Sequence, residues 1–360
     1  MAFADGDDIV PAGCLASPDF GMTGAPRRHA FMIVYSAAVP HCLRPHVKLF
    51  PSSVDVVVVG AGVIGMTTAL ELARAGMKVC VLERGVAGQR ASWAAGGILS
   101  PLPPDQPAPE IKELLDQSLL LFPDYCAALQ EQTGIDPEFW RCGAVVLDAH
   151  GERWFPQVAQ LRSPRLLKAL VLALAREGVA LLEQTPALGW HLQADKLAGV
   201  ITRWGVITCP QAVLAAGAWS GELTHVPISP VKGQMLLLRG EPSLLNHVRM
   251  DDRAYLVPRR DGHILVGSTL EEVGFDVTPT SQGRDFLMNC AERLWPPIAK
   301  LKIERQWAGL RPRPAELAPL IGPVGGIEGL FLNAGHYRLG VTLSLASAQR
   351  CVAQVLRAGI

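Results

Sequence analysis

The chain has no paired cysteine motif, no excess of either charge, no long apolar run and few aromatic residues. Each absence removes a class of protein. Eight cysteines are present (Cys14, Cys42, Cys80, Cys126, Cys142, Cys209, Cys290 and Cys351), but none stands in a C-x-x-C pair. Neither a zinc knuckle nor a dithiol redox motif is written here, and no ligand cluster for another metal competes. Cys80 sits in an apolar strand pattern and reads as a small core residue. Scattered thiols suit a reduced, cytoplasmic setting better than a disulfide framework. Thirty-three basic residues balance thirty-three acidic ones. That excludes the basic surplus behind sequence-independent nucleic-acid binding. No apolar run approaches the roughly 18 residues of a membrane span. The nearest, Leu166 to Leu182, is interrupted by Lys168, Arg176 and Glu177.

What is present points to a large core. Apolar residues make up 49% of the chain and charged residues 18%, which argues against disorder. The 360 residues suggest about two domains, or one α/β unit with insertions. Residues 1–52 stand apart. Arg27, Arg28 and the apolar stretch Ala30–Val39 imitate a signal peptide, but Asp5, Asp7 and Asp8 come first. This segment is expected to be a leader outside the fold or a mis-assigned start, with Met22 and Met32 as alternative starts.

The strongest local signal begins at Val54. Val54 to Val59 is β-branched apart from Asp55, as a buried parallel strand favours. Gly60-Ala61-Gly62-Val63-Ile64-Gly65 completes G-x-G-x-x-G, and Thr67 to Ala75 reads as a helix stopped by Gly76. Lys78 to Leu82 reads as a second strand, closed by Glu83. Gly60 permits the tight turn, Gly62 lets backbone approach a pyrophosphate, and Gly65 lets helix and strand pack closely. The helix N-terminus offers N–H groups and positive dipole to phosphate. Glu83 stands where an acid binds the ribose hydroxyls, which disfavours NADP but leaves NAD and FAD open.

The next residues separate those two. After Glu83-Arg84-Gly85 comes a run of small residues, Ala91-Ser92-Trp93-Ala94-Ala95-Gly96-Gly97-Ile98-Leu99-Ser100-Pro101. Small side chains let backbone lie against a flat ring system, whereas an NAD domain would continue with ordinary βαβ units. A plain surface loop is the alternative reading of this segment taken alone.

Taken in order, these motifs resemble the FAD-dependent D-amino acid oxidase group, and within it the glycine oxidases of thiamine thiazole synthesis. The resemblance extends through Ala215-Ala216-Gly217-Ala218-Trp219-Ser220, Tyr255-Leu256-Val257-Pro258-Arg259 and Gly267-Ser268-Thr269. It continues through Trp307-Ala308-Gly309-Leu310-Arg311-Pro312 and Gly335-His336-Tyr337-Arg338. It implies a Rossmann-like α/β FAD-binding domain and a second, antiparallel-sheet substrate domain. The expected division gives residues 53–104, 157–226 and 305–360 to the first and 105–156 and 227–304 to the second. Val179–Leu182 and Ala212–Ala215 are expected in the FAD-binding sheet. Cys142–Asp148, Lys232–Arg239 and His263–Gly267 are expected in the second sheet. Ser163 reads as a helix N-cap with Pro164 at the first position. Ser344 to Arg357 reads as the last helix, with Leu345, Ala348, Val352 and Val355 on its apolar face. Pro101, Pro103, Pro104, Pro107 and Pro109 mark a crossing between domains.

The residues also suggest the chemistry. An amino-acid carboxylate calls for an arginine fork, and Arg311 and Arg338 both stand in apolar company. A core carboxylate as partner is the alternative for each. The resemblance implies that both contact substrate, Arg311 as the carboxylate anchor. Tyr255 reads as a core tyrosine or a pocket tyrosine, and the resemblance implies the pocket. His336 could be a general base. A flavin-contact role for the turn and helix start His336-Tyr337-Arg338-Leu339-Gly340-Val341-Thr342 is preferred, with Gly335 before it. The resemblance adds Ala187 and Gly217 to the cofactor side and implies non-covalent FAD. It implies oxidation of a small amine or amino acid, with hydride leaving Cα for the flavin and oxygen giving peroxide. It also implies service to the thiazole-forming machinery and a homo-oligomer.

Two departures from the family pattern stand out. Arg313 to Leu320 lacks an expected Asp-Gly, and Leu339 replaces a polar residue. The competing readings are a D-amino acid dehydrogenase passing electrons to a quinone or carrier, a weakened flavin-binding partner protein, and an NAD enzyme.

Overall fold

The computed structural model describes residues 51–101, 108–316 and 318–359. Residues 1–50, Pro103, Pro104, Pro107 and Leu317 lie outside them. The expected leader boundary at residue 52 needs a small correction, because the Ser52 carbonyl already accepts the Thr208 amide at 3.1 Å.

Val56–Val59 is buried along its whole length, and it is central for that reason. It pairs in parallel with Val79–Leu82 on one side and Gln211–Leu214 on the other. Leu330–Ala334 and Ala180–Leu182 extend this sheet in parallel, and Leu320–Pro323 closes one edge antiparallel. Helices cover it, with Leu70, Phe122, Leu170 and Val355 in one continuous core. Burying each such side chain contributes about 1.5–3 kcal/mol.

The helix after the glycine motif runs Val63–Arg74, one turn earlier than expected. Ser92 explains the early start: its Oγ accepts the Val63 amide at 2.9 Å, satisfying one of the helix's free N–H groups from a distant part of the chain. The glycines act as the motif requires. Gly60 has φ +108°, and a Cβ on Gly65 would overlap the Gly60 carbonyl.

The second sheet has seven strands. In order they are Lys302–Pro314, Ile228–Arg239, His263–Gly267, Tyr255–Pro258, Val248–Met250, Ala144–Asp148 and Gly151–Phe155. Pairing is antiparallel except between Val248–Met250 and Ala144–Asp148. All the strands expected from sequence lie in their intended sheets.

Several boundaries are corrected. Lys302–Pro314 pairs along its length with Ile228–Arg239, so residues 305–314 belong to the second sheet. Pro109–Thr133 is one long helix that joins the helical layer of the first sheet. Its Phe122, Cys126 and Leu129 enter that core, and its Leu114 and Leu115 meet Leu343 and Ala346. Assigning all of 105–156 to the substrate side missed this, because the helix's apolar face specifies burial but not a partner. The helix expected to be capped by Ser163 starts at Ser163 itself, with Arg162 in the capping position. The last helix starts at Gly340, and its apolar face is buried as expected. The six described cysteines are free thiols. Among the described residues no helix is long and apolar enough to cross a membrane.

Candidate active site

One cavity of about 420 Å³ runs between the two sheets. The carboxyl ends of Val56–Val59 and Val79–Leu82, the start of the first helix, the small-residue segment and the start of the last helix form one side. Gly233 and Met235 of Ile228–Arg239, with Tyr255, Gly309 and Arg311, form the other. Ligands of open α/β sheets bind in such crevices beyond the carboxyl ends of the strands.

Of the expected cofactor residues, all but Gly65 and Leu339 line this cavity. Gly65 supports it from behind, packed on Gly60. Leu339 is a correction. The turn Tyr337–Leu339 directs its side chain to the cluster of Leu114, Leu115, Leu343 and Ala346, away from the cavity.

Glu83 is buried, and its carboxylate is tied on both oxygens. Oε2 accepts the Ala61 amide at 2.9 Å and Oε1 accepts the Gly85 amide at 2.8 Å. It thereby clamps the glycine turn to the end of the second strand. Arg84 lies with Cζ 3.6 Å above the Trp219 ring, and Trp219 stacks on Phe275 at 5.3 Å. Burial, and the nearby Arg90, hold the Arg84 pKa below its ordinary value.

The small-residue segment leaves room for a flat group. Its Gly96 has the Tyr255 ring within 3.1 Å of where a Cβ would stand. Its Ala94 and Ala91 lie against Gly309. Trp307 Nε1 donates to the Ala94 carbonyl at 3.3 Å, and Trp93 meets Trp307 edge to face. Arg259, buried, donates to the carbonyls of Leu161 at 2.9 Å and Gly96 at 3.0 Å. A dinucleotide turn, a buried acid at the second strand's end, a cradle of small residues and two helix starts fit FAD.

Arg311 is the distinctive group on the substrate side. Protein surrounds its guanidinium, which opens onto the cavity, and every bond it makes is to a neutral oxygen. It donates to Thr269 O at 3.1 Å, Lys232 O at 3.4 Å and Ser268 Oγ at 2.5 Å. Among the described residues no acid pairs with it, which removes the core-carboxylate alternative. Burial lowers its pKa, Tyr255 and Tyr337 oppose that fall, and the charge of Arg338 adds to it. Arg338 also lines the cavity, but it is exposed rather than buried. Its apolar sequence neighbours face the core while its own side chain does not. Tyr255 Oη lies 3.5 Å from the Met235 sulfur. Tyr337, which also lines the cavity, has φ +48°, a left-handed conformation rare outside glycine.

His336 is not placed as a general base. It is fully enclosed, and burial pushes its pKa down to about 3. Ser347 Oγ donates to Asn333 Oδ1 at 2.5 Å, so it accepts from His336 Nε2 at 2.7 Å. Asn333 Nδ2 donates to Thr68 Oγ1 at 3.1 Å, which links the last helix to the first.

Sequence reasoning missed Gly233, Met235, Ser268, Thr269 and Arg259 as site residues. The alternation Lys232-Gly233-Gln234-Met235 was the available signal, since a period of two puts Gly233 and Met235 on one face.

The comparisons agree with this geometry. A model of the FAD dependent oxidoreductase family, DAO, matches residues 55–154 and 148–354. A glycine oxidase of Pseudomonas aeruginosa is 40% identical, covering 82% of this chain and 92% of that protein. A glycine oxidase of Pseudomonas putida is 39% identical, covering 82% and 93%. The crystal structure of glycine oxidase from Geobacillus kaustophilus superposes with a TM-score of 0.82 at 27% identity, covering 85% of this chain and 95% of that one. The family match spans most of the chain, and the chain belongs to the FAD dependent oxidoreductase family, among the glycine oxidases.

Proposed function

We propose that this protein carries out FAD-dependent oxidative deamination of glycine or a similarly small amino acid, yielding the 2-oxo acid, ammonia and hydrogen peroxide. The observation that carries this reading is Arg311, a cation in the cavity bonded only to neutral oxygens. A half-buried cation without an acid is costly, and a ligand carboxylate supplies the missing charge.

The chemistry supplied by bound FAD is a two-electron oxidation of the amine to the imine, with oxygen as final acceptor. The protein's part is binding and orientation. The Arg311 fork receives the carboxylate in two parallel hydrogen bonds and so fixes the orientation of Cα. Tyr255, backed by Met235, closes the space around Cα and favours a small substrate. Arg338 adds positive charge at the exposed side and draws in anions. The enclosed, neutral His336 is committed to Ser347. It is therefore not the base that takes the amine's proton.

The test is direct. The FAD-loaded protein, mixed with glycine in air without an added acceptor, is expected to form peroxide and ammonia in equal amounts. Flavin bleaching by glycine or a D-amino acid without peroxide would favour the dehydrogenase alternative. No bleaching by glycine, sarcosine or D-alanine would overturn the oxidase reading.

Four further assignments belong to the same reading. Imine release to thiazole synthesis rests on the resemblance to the glycine oxidases, as does assembly into a homo-oligomer. A cytoplasmic location is supported by the six free thiols. A cofactor domain and a substrate domain are supported by the two sheets, with the boundaries corrected above.

A further inference from the structure

The strand Ile228–Arg239 has two faces. Gly233 and Met235 face the cavity, and Lys232 and Gln234 face the opposite side, where the segment from Ser268 to Thr280 crosses. Lys232 is only 1% exposed, yet it carries an ammonium. Its Nζ donates to Asp276 Oδ2 and Thr278 O, both at 3.0 Å, and pairs with Glu271 Oε2 at 3.2 Å. Lys232 and Glu271 also exchange backbone hydrogen bonds of 2.9 and 3.0 Å. Gln234, fully buried, donates to Glu271 Oε1 at 2.8 Å and to Thr280 Oγ1 at 2.9 Å.

This fastening ends on the arginine fork. Thr269 Oγ1 accepts the Gln234 amide at 2.8 Å and donates to Glu271 Oε1 at 2.5 Å. The carbonyl of that same Thr269, the hydroxyl of Ser268 and the carbonyl of Lys232 are the three acceptors of Arg311. Replacing a buried ionic group by a well-packed apolar residue is often neutral or stabilising, so stability alone gives little reason for a lysine here. A fixed arrangement does. With Lys232 in place, Glu271 is held against Lys232, Gln234 and Thr269, and does not neutralise Arg311.

We propose that Lys232 is a positioning residue for substrate-carboxylate binding. It holds Ser268 and Thr269 as acceptors for the Arg311 guanidinium and keeps Glu271 engaged away from it. The inference rests on the reading of Arg311 as the carboxylate site.

The experiment uses the full, FAD-loaded protein with acetate as a carboxylate that cannot be oxidised. Calorimetry gives its Kd, and steady-state kinetics with glycine give KM and kcat. Lys232→Met is expected to raise the acetate Kd and the glycine KM by roughly tenfold, with a smaller change in kcat. Lys232→Arg, which keeps the cation, is expected to restore both to within about threefold of the unmodified protein. Should Lys232→Met fail to fold, Glu271→Gln, at a partly exposed position, is expected to raise the acetate Kd by at least about threefold. A folded, FAD-loaded Lys232→Met whose acetate Kd and glycine KM are unchanged overturns the proposal. So does an unchanged Kd in Glu271→Gln where that variant serves as the test. If the unmodified protein binds no acetate, the carboxylate reading of Arg311 fails first and this inference falls with it.

Discussion

The Arg311 guanidinium lies folded over Gly233, so close that a Cβ on residue 233 would overlap it. The register explains the contact: Val231 pairs with Arg311 and Gly233 with Gly309, so the arginine crosses two rungs of the ladder. Gly233→Ala is therefore expected to push the fork off its three oxygen acceptors. A misplacement of about 1 Å can cost on the order of a hundredfold, so kcat/KM for glycine should fall by that order. The loss should appear chiefly in KM, with FAD content unchanged. Steady-state kinetics and the flavin-to-protein absorbance ratio check this. An alanine variant with unaltered KM would show that the arginine does not set carboxylate binding.

Glu83 holds the dinucleotide turn through two amides, and the cofactor should report its loss. Glu83→Ala leaves the Ala61 and Gly85 N–H groups without their acceptors, at a cost of about 1–3 kcal/mol each where water cannot replace them. The variant is expected to lose FAD on gel filtration. Glu83→Gln keeps an acceptor oxygen and should retain more. Equal flavin content in all three proteins would contradict the clamp.

Two histidines should bend the pH profile of stability in opposite directions. His336 titrates at about 3 in the folded protein because burial disfavours its charge. Between the ordinary histidine value and that point the unfolded chain binds a proton that the folded chain refuses. Its contribution to stability is then complete above about pH 6.5 and falls with acidification by up to about 1.4 kcal/mol per pH unit. His263 is raised, first by its hydrogen bond to Asp261 and also by Glu304. Its contribution is complete below the ordinary value and is lost as pH rises through the folded pKa. Thermal midpoints across pH 4–9 should therefore show a dome, within the roughly neutral range usual for proteins. His336→Gln should flatten its acid limb and His263→Gln its alkaline limb.

Ser92 offers a smaller and cleaner test. Its hydroxyl accepts the Val63 amide, a capping bond made across 29 residues of sequence. Ser92→Ala is expected to cost about 1 kcal/mol, as other N-cap losses do. For a protein of this size that means a fall in Tm of about 1–2 °C. Scanning calorimetry would show it, and an unchanged Tm would mean that the helix start is satisfied otherwise.

Some of these features are legible in the order of residues alone. The β-branched run Val56–Val59, the glycine turn and Glu83 each have a local reason to exist, and each takes its expected place. Arg311 stands out in the sequence because a cation in apolar company needs a partner. Arg338 shares that company yet is exposed, since neighbouring letters do not say where a side chain points. Leu339 and the helix Pro109–Thr133 are the same lesson. An apolar face demands burial, but several surfaces could satisfy it.

The sequence by itself determined that a dinucleotide is bound at a strand-to-helix turn, with an acid at the next strand's end and small residues beyond. Those features depend on spacing within short segments and on local backbone needs. Only the tertiary structure decided what Arg311 touches, that Gly233 lies beneath it, and that Lys232 fastens the segment holding it. Those contacts join residues 232, 268, 269 and 311, which strand pairing brings together and no local pattern relates.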